Sequence, residues 1–202
     1  MSGDSARRVV VATANRGKLD EIRAALAGTG FEFVTASDLG RMPLHVDETG
    51  ATFEENARLK ARAYLEAFGL PALADDSGLE VDALGGEPGV YSARYAGADA
   101  TDADNNEKLL AALARVPAGQ RTARFRSVVV FVDAEGAETV AEGACEGSVG
   151  FSGHGAGGFG YDPIFLPAAA PGRTMADLAM DEKNRISHRG AALRALAEAL
   201  GR

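Results

Sequence analysis

One cysteine, no tryptophan and no long apolar run mark this 202-residue sequence. Cys145 alone cannot close an internal disulfide, so no disulfide framework is expected, and a cytoplasmic setting is. The N-terminal apolar run Val9-Val10-Val11-Ala12 is too short for a secretory leader, and no segment approaches the ~18 residues of a membrane span. Positive charge is scarce too. Against 29 Asp and Glu stand 21 Lys and Arg, for a formal net charge of −8. That balance argues against non-specific binding to nucleic acid or to an anionic membrane. An anionic ligand must then be held by a local cluster of basic groups.

What remains is ordinary globular material, 46% hydrophobic and 25% charged. The 25 glycines and abundant alanines are interrupted throughout by charged and apolar residues, which reads as bias rather than low complexity. No repeat of fixed period and no long linker divides the chain. Residues 8–202 are expected to form a single two-lobed domain behind a short N-terminal tail, residues 1–7.

Arg8 to Thr13 is a β-branched run that reads as a buried strand. Leu19, Ile22 and Leu26 then recur at helical spacing, Gly28 and Gly30 end that helix, and Phe31 to Val34 alternates as a second strand. Strand, helix and strand at this length predict a parallel βαβ unit. Thr52 with Glu55 makes a capping box for a helix reaching about Phe68, closed by Gly69 and Pro71. Ala72-Leu73-Ala74 reads as a short strand ending in Asp75 and Asp76, and Thr101 or Asp102 opens a further helix stopped by Pro117. Two β-rich runs, 122–132 and 139–149, flank the turn signal Ala134-Glu135-Gly136 and predict a hairpin. A glycine-rich loop covers 150–160, and a last helix carries Leu193, Leu196 and Leu200 before Gly201. The expected class is α/β, an elongated mixed sheet flanked by helices, with two lobes and a central active-site cleft.

Several common motifs fail. Gly153-His154-Gly155-Ala156-Gly157-Gly158 satisfies the dinucleotide pattern on paper, but Phe159 to Phe165, with Pro163, follows where a helix is required. Gly17-Lys18 lacks the upstream glycine of a P-loop, and Gly150 to His154 misses the last glycine of a nucleophile elbow. His45, His154, His188 and Cys145 show no zinc-ligand spacing.

Four constellations survive. Asn15, Gly17 and Lys18 sit where the first strand meets the first helix, a place whose backbone N–H groups suit phosphate, though an ordinary turn looks the same. Asp75-Asp76-Ser77-Gly78 and Asp47-Glu48-Thr49-Gly50 offer hard oxygen ligands of the kind Mg2+ takes, or are surface acidic turns. Lys183, Arg185, His188 and Arg189 gather before the last helix, with Ser187 as its N-cap. Cations in a first turn oppose the helix dipole, which a bound anion would explain, or the run is a solvated surface face. Phe159-Gly160-Tyr161-Asp162 sets aromatics beside a flexible loop, where a ring could stack on a nucleobase or simply pack.

Together these segments resemble the inosine triphosphatase-like family of purine nucleoside triphosphate pyrophosphatases. The carriers are Thr13 to Lys18, Thr52 to Ala57 with Lys60-Ala61, Asp75 to Leu79, Pro88 to Tyr95, Phe159 to Phe165, and Lys183-Asn184 with Ser187-His188-Arg189. The resemblance implies Mg2+-dependent hydrolysis of ITP, dITP and XTP to the monophosphate and pyrophosphate by a homodimer. It implies that Thr13, Ala14, Asn15, Arg16, Gly17 and Lys18 cradle the triphosphate. Asp76 would be the general base and a metal ligand, with Lys60 and Ser77 against the substrate. Phe159, Gly160, Tyr161, Asp162, Lys183, His188 and Arg189 would hold the nucleotide. The family's first metal position is usually Glu; here it falls on Asp47, with Glu48 beside it. A hydrolase of other modified nucleotides and a catalytically silent nucleotide sensor are the alternatives.

Overall fold

A computed structural model describes residues 7–201. Residues 1–6 of the expected tail, and residue 202, lie outside the described residues. The elements are β1 (Arg7–Val11), α1 (Arg16–Ala25), β2 (Phe31–Val34), α2 (Phe53–Phe68), β3 (Ala72–Val81), α3 (Asp102–Ala112), β4 (Thr122–Val132), β5 (Glu138–Val149), β6 (Phe165–Pro167), α4 (Met180–Ile186) and α5 (His188–Ala199). Six strands form one sheet in the order β2-β1-β3-β4-β5-β6. β1 runs parallel to both β2 and β3, whereas β5 and β6 are antiparallel, so the sheet is mixed as the pattern predicts.

Two compact units divide the chain. Among the described residues, the first comprises residues 7–76, 128–142 and 192–201; the second, Ser77–Ser127 and Gly143–Ala191. In the first, Val9 and Val11 pack with Leu19, Ile22 and Leu26 of α1 and with Leu193 and Leu196 of α5. Val10, pointing the opposite way along β1, packs with Tyr64 of α2 and Ala72. Both faces of β1 are covered, which is why its sequence is an unbroken apolar run rather than an alternation.

In the second unit, Leu79 and Val81 of β3 meet Leu109 and Leu113 of α3, Phe125, Val149, Tyr161, Ile164 and Phe165. Arg121, 1% exposed, donates to the carbonyls of Leu113, Val149 and Gly150. One guanidinium thereby ties the end of α3 to the near end of the glycine-rich loop.

Three elements differ from expectation. β1 begins at Arg7 and stops at Val11 rather than Thr13. β3 does not end at an acidic turn. It continues through Asp75-Asp76-Ser77-Gly78 to Val81, because Leu79 and Val81 resume the buried apolar pattern and the two carboxylates have cationic partners. α4 occupies residues read as a run of charge; it is too short to show an apolar stripe. Among the described residues, no helix is long and apolar enough to cross a membrane.

α2 is set by its ends. The Thr52 side chain accepts the Glu55 N–H at 3.1 Å, and Glu55 accepts the Thr52 N–H at 3.2 Å and the Ala51 N–H at 2.7 Å. At the other end Gly69, with φ +64°, takes the left-handed conformation that stops the helix. Thr52→Ala is expected to destabilise the chain by about 1 kcal/mol, with Thr52→Ser, which keeps the capping hydroxyl, recovering most of that loss. Urea midpoints of the two variants check this; an unchanged Thr52→Ala midpoint would remove the capping box from the account.

Candidate functional site

The first unit carries a cluster of alternating charge built from three elements. β3 brings Asp75 and Asp76, α2 brings Lys60, and the start of α1 brings Lys18. Lys18 Nζ lies 2.8 Å from Asp75 Oδ2. Lys60 Nζ lies 2.7 Å from Asp76 Oδ1 and 3.2 Å from Glu48 Oε1, and also donates to the Asp75 carbonyl at 3.2 Å. Asp76 is 7% exposed. Burial pushes its carboxyl above the ordinary aspartate range and the nearby Glu48 charge adds to this, while Lys60 and Lys18 pull it down without cancelling the rise. Lys60 sits above an ordinary lysine: burial works against its charge, but Asp76, Glu48 and Asp75 outweigh that penalty.

The two upstream carboxylates part company. Asp47 is on the surface, its side chain 85% exposed and 3.3 Å from His45 Nε2. Glu48 turns inward to share Lys60 with Asp76. Among the described residues, no three His, Cys, Asp or Glu side chains gather as a self-sufficient metal cage. Two carboxylates converging on one cation do fit a hard divalent ion, which fills its shell with water and phosphate oxygens.

Beside this cluster α1 begins. Asn15 is its N-cap, accepting the Lys18 N–H at 3.2 Å, while its own N–H goes to Thr13 Oγ1 at 3.0 Å. A cavity of about 330 Å3 opens here, lined by Thr13, Ala14, Asn15 and Arg16 on one side and Thr35 and Ser37 on the other. The first-turn N–H groups of a helix lack intrahelical acceptors, so an anion is well served at this place.

The second unit carries the remaining candidates. Ser77, the residue after Asp76, accepts a hydrogen bond from Arg189 Nη2 at 2.8 Å. Lys183 donates to Asp162 at 2.8 Å, and the same carboxylate oxygen accepts the Phe159 N–H at 2.9 Å. Above the Phe159 ring lie Lys183 Nζ, 4.6 Å from its centroid, and the Arg189 guanidinium carbon at 5.5 Å. His188 stacks on Phe125, centroids 4.7 Å apart and planes 13° from parallel. Lys183, His188 and Arg189 are all buried, whereas Arg185 is exposed, so most of the basic run is not a solvated face. Ser187 Oγ accepts the Gly190 N–H at 3.1 Å, as an N-cap does, which puts His188 and Arg189 in the first turn of α5. Gly190 is needed there, since a Cβ would collide with the Asn184 carbonyl.

Two expected ligand groups turn out to be internal. The Tyr161 ring is in the core with its hydroxyl donating to the Ser92 carbonyl at 2.9 Å, and burial pushes its pKa up. Asp162, 3% exposed, organises the loop through Phe159 and Lys183 rather than facing outward. Phe159 is left as the aromatic available for stacking. Conversely, Asn56 and Phe125 escaped sequence reasoning. Asn56 accepts the Gly50 N–H at 2.8 Å and so holds the Glu48 loop, and only its place within the capping segment hinted at a role. Phe125 looked like any strand residue.

A family model described as the Ham1 family matches residues 9–199. A dITP/XTP pyrophosphatase of Methylococcus capsulatus is 54% identical over 196 residues, 96% of each chain. Among solved structures, a HAM1 protein from Coxiella burnetii superposes with a TM-score of 0.86 at 41% identity, covering 96% of this chain and 98% of that one. The Staphylococcus aureus Ham1 protein gives 0.84 at 40% identity over the same shares. This chain thus shares its fold with both solved structures, and it belongs to the Ham1 family.

The shared lysine generates a test on metal-free protein. The Asp76 carboxyl is expected to titrate above an ordinary aspartate; Glu48→Gln removes a like charge and should lower it, whereas Lys60→Met removes the nearest cation and should raise it further. Carbon-13 NMR of labelled aspartate side chains reads both shifts. No movement in Glu48→Gln would show that the two carboxylates do not share Lys60.

Proposed function

We propose that this chain hydrolyses non-standard purine nucleoside triphosphates, ITP, dITP and XTP, to the monophosphate and pyrophosphate. The observation that carries the reading is the buried Asp76, joined through Lys60 to Glu48 and followed in β3 by Ser77 on Arg189. The names of the relatives support the substrate class. In this reading Thr13 to Lys18, with Lys60, take the triphosphate. Glu48 and Asp76 would hold Mg2+, with Asp47 outside the site. The ion would neutralise phosphate charge and acidify a bound water. Asp76 takes a proton from the water that attacks the α-phosphorus in line with the departing bridging oxygen, and Lys18 and Lys60 stabilise charge developing on the leaving pyrophosphate.

Selectivity falls to the second cluster. Phe159 offers its ring for stacking. Arg189 is a permanent donor, suited to a 6-oxo acceptor and mismatched to the 6-amino group of adenine. His188, beside it, can donate as well. Residues 8–202 would work as one domain in a cytoplasmic homodimer.

Pyrophosphate release from ITP, XTP, dITP, GTP, ATP and modified pyrimidine triphosphates with Mg2+ tests the reading. Turnover confined to the 6-oxo purines is expected. Binding of ITP without turnover would make the chain a sensor, and orthophosphate as product would misplace the cleaved bond. Asp76→Asn, nearly isosteric but a poor base, should lower kcat about 10²–10⁴-fold with ITP affinity kept near normal. A folded Asp76→Asn variant with wild-type turnover would remove Asp76 as base. Arg189→Ala should lower the ITP/ATP ratio of kcat/KM by roughly ten- to a hundred-fold, as a charged hydrogen bond is lost. An equal fall for both nucleotides would instead put Arg189 on the phosphates.

A further inference from the structure

Residues 150–160 have no regular secondary structure, and most are exposed. The far end of this segment is nonetheless held on both polar groups of a single residue. Gly160 donates its N–H to Asp102 Oδ2 at 2.6 Å, and its carbonyl accepts from Asn106 Nδ2 at 2.9 Å. Positions 102 and 106 are one turn apart on the same face of α3. Gly160 has φ +61°, a conformation that glycine adopts without steric cost.

The grip matters because of what precedes it. The Phe159 N–H is already fixed on Asp162, so α3 fixes the peptide on the other side of Phe159. With both of its flanking peptides held, the Phe159 ring is kept beneath Lys183 and Arg189. α3 is itself anchored: Leu109 and Leu113 are in the core, and Asn105 bonds the Ala96 N–H and the Ala93 carbonyl.

Asn106 is informative for a second reason. Its Oδ1 is buried without a hydrogen-bond partner. The amide cannot be turned round, since that would set its oxygen against the Gly160 carbonyl oxygen. Asparagine is also a poorer helix former than leucine or alanine. Helix stability alone gives no reason for such a residue, whereas a required donor to Gly160 does. Asp102, by contrast, is also favoured electrostatically in a first turn, so Asn106 is the sharper probe.

We propose that Asp102 and Asn106 are positioning residues for purine recognition, Asp102 acting through the Phe159-Gly160 peptide and Asn106 through the Gly160-Tyr161 peptide that follows it. This assignment rests on the proposed pyrophosphatase reading. Neither side chain touches the substrate; both fix the surface on which the base is read.

Steady-state pyrophosphate release from ITP and from ATP, at a temperature well below melting, tests the assignment. Asn106→Ala is expected to raise KM for ITP about two- to tenfold, the range for one neutral hydrogen bond, with kcat within about twofold. The ITP/ATP ratio of kcat/KM falls by the same factor. Asn106→Asp, which sets a carboxylate against the Gly160 carbonyl, should be worse than Asn106→Ala. Asp102→Asn keeps an acceptor and should recover most of what Asp102→Ala loses. Unchanged KM and ITP/ATP ratio in both Asn106 variants would overturn the assignment. So would an equal fall for ITP and ATP, which marks a merely structural role. A wild-type chain that neither hydrolyses nor binds ITP would fail the pyrophosphatase reading and this assignment with it. A selective wild type with equally selective variants would fail the assignment alone.

Discussion

A carboxylate cannot stay charged inside a protein without a cation beside it, and the first unit is arranged around meeting that demand at Asp76. Lys60 answers from α2, sharing its ammonium with Glu48. Removing one partner of a buried pair typically costs about 3–5 kcal/mol, yet such pairs are seldom more stable than apolar residues of the same volume. Stability is therefore a weak reason for the pair, and chemistry a better one. The parts around it follow. The capping box and Gly69 set the extent of α2, Asn56 holds the Glu48 loop, and the parallel β1–β3 pairing brings the strand that carries Asp76.

The second unit solves a different problem, keeping several cations inside. Lys183 has Asp162, Arg189 has Ser77, and both lie over Phe159. A ring face attracts cations, by about 0.5–2 kcal/mol depending on desolvation, and still presents a flat apolar surface. Such a surface suits a heteroaromatic ring. The flexible-looking loop that bears Phe159 is held at both ends, by Arg121 at Gly150 and by α3 at Gly160. Its glycines serve close approach: a Cβ at Gly158 would collide with the Asp162 carboxylate.

Much of the fold was legible because its signals are local. Thr52 and Glu55 meet within one turn, Gly69 stops a helix by its own backbone freedom, and Val9 to Val11 announces burial on both faces. The errors came where a long-range partner reverses a local rule. Asp75 and Asp76 read as the end of a strand because charge disfavours the interior; Lys18 and Lys60, distant in sequence, remove the penalty and β3 runs on. The basic run 183–189 read as exposed or anion-bound for the same reason, yet Asp162 and Ser77 receive Lys183 and Arg189 inside the second unit, and Arg185 stays exposed. Tyr161 shows the converse. Its neighbour Phe159 remains available for stacking, while Tyr161 points into the core with its hydroxyl on Ser92.

The sequence by itself determined the α/β class, the helix ends and the inventory of chemical groups, since periodicity, caps and residue type are carried by neighbours along the chain. Tertiary structure alone decided which groups meet. It chose Glu48 over the adjacent Asp47 as the partner of Lys60, because the two side chains leave the loop in different directions and only one meets α2. It made Asp102 and Asn106 a clamp on Gly160, more than fifty positions away. Hydrogen bonds and ion pairs act over a few ångströms of space, and distance along the chain does not report that separation.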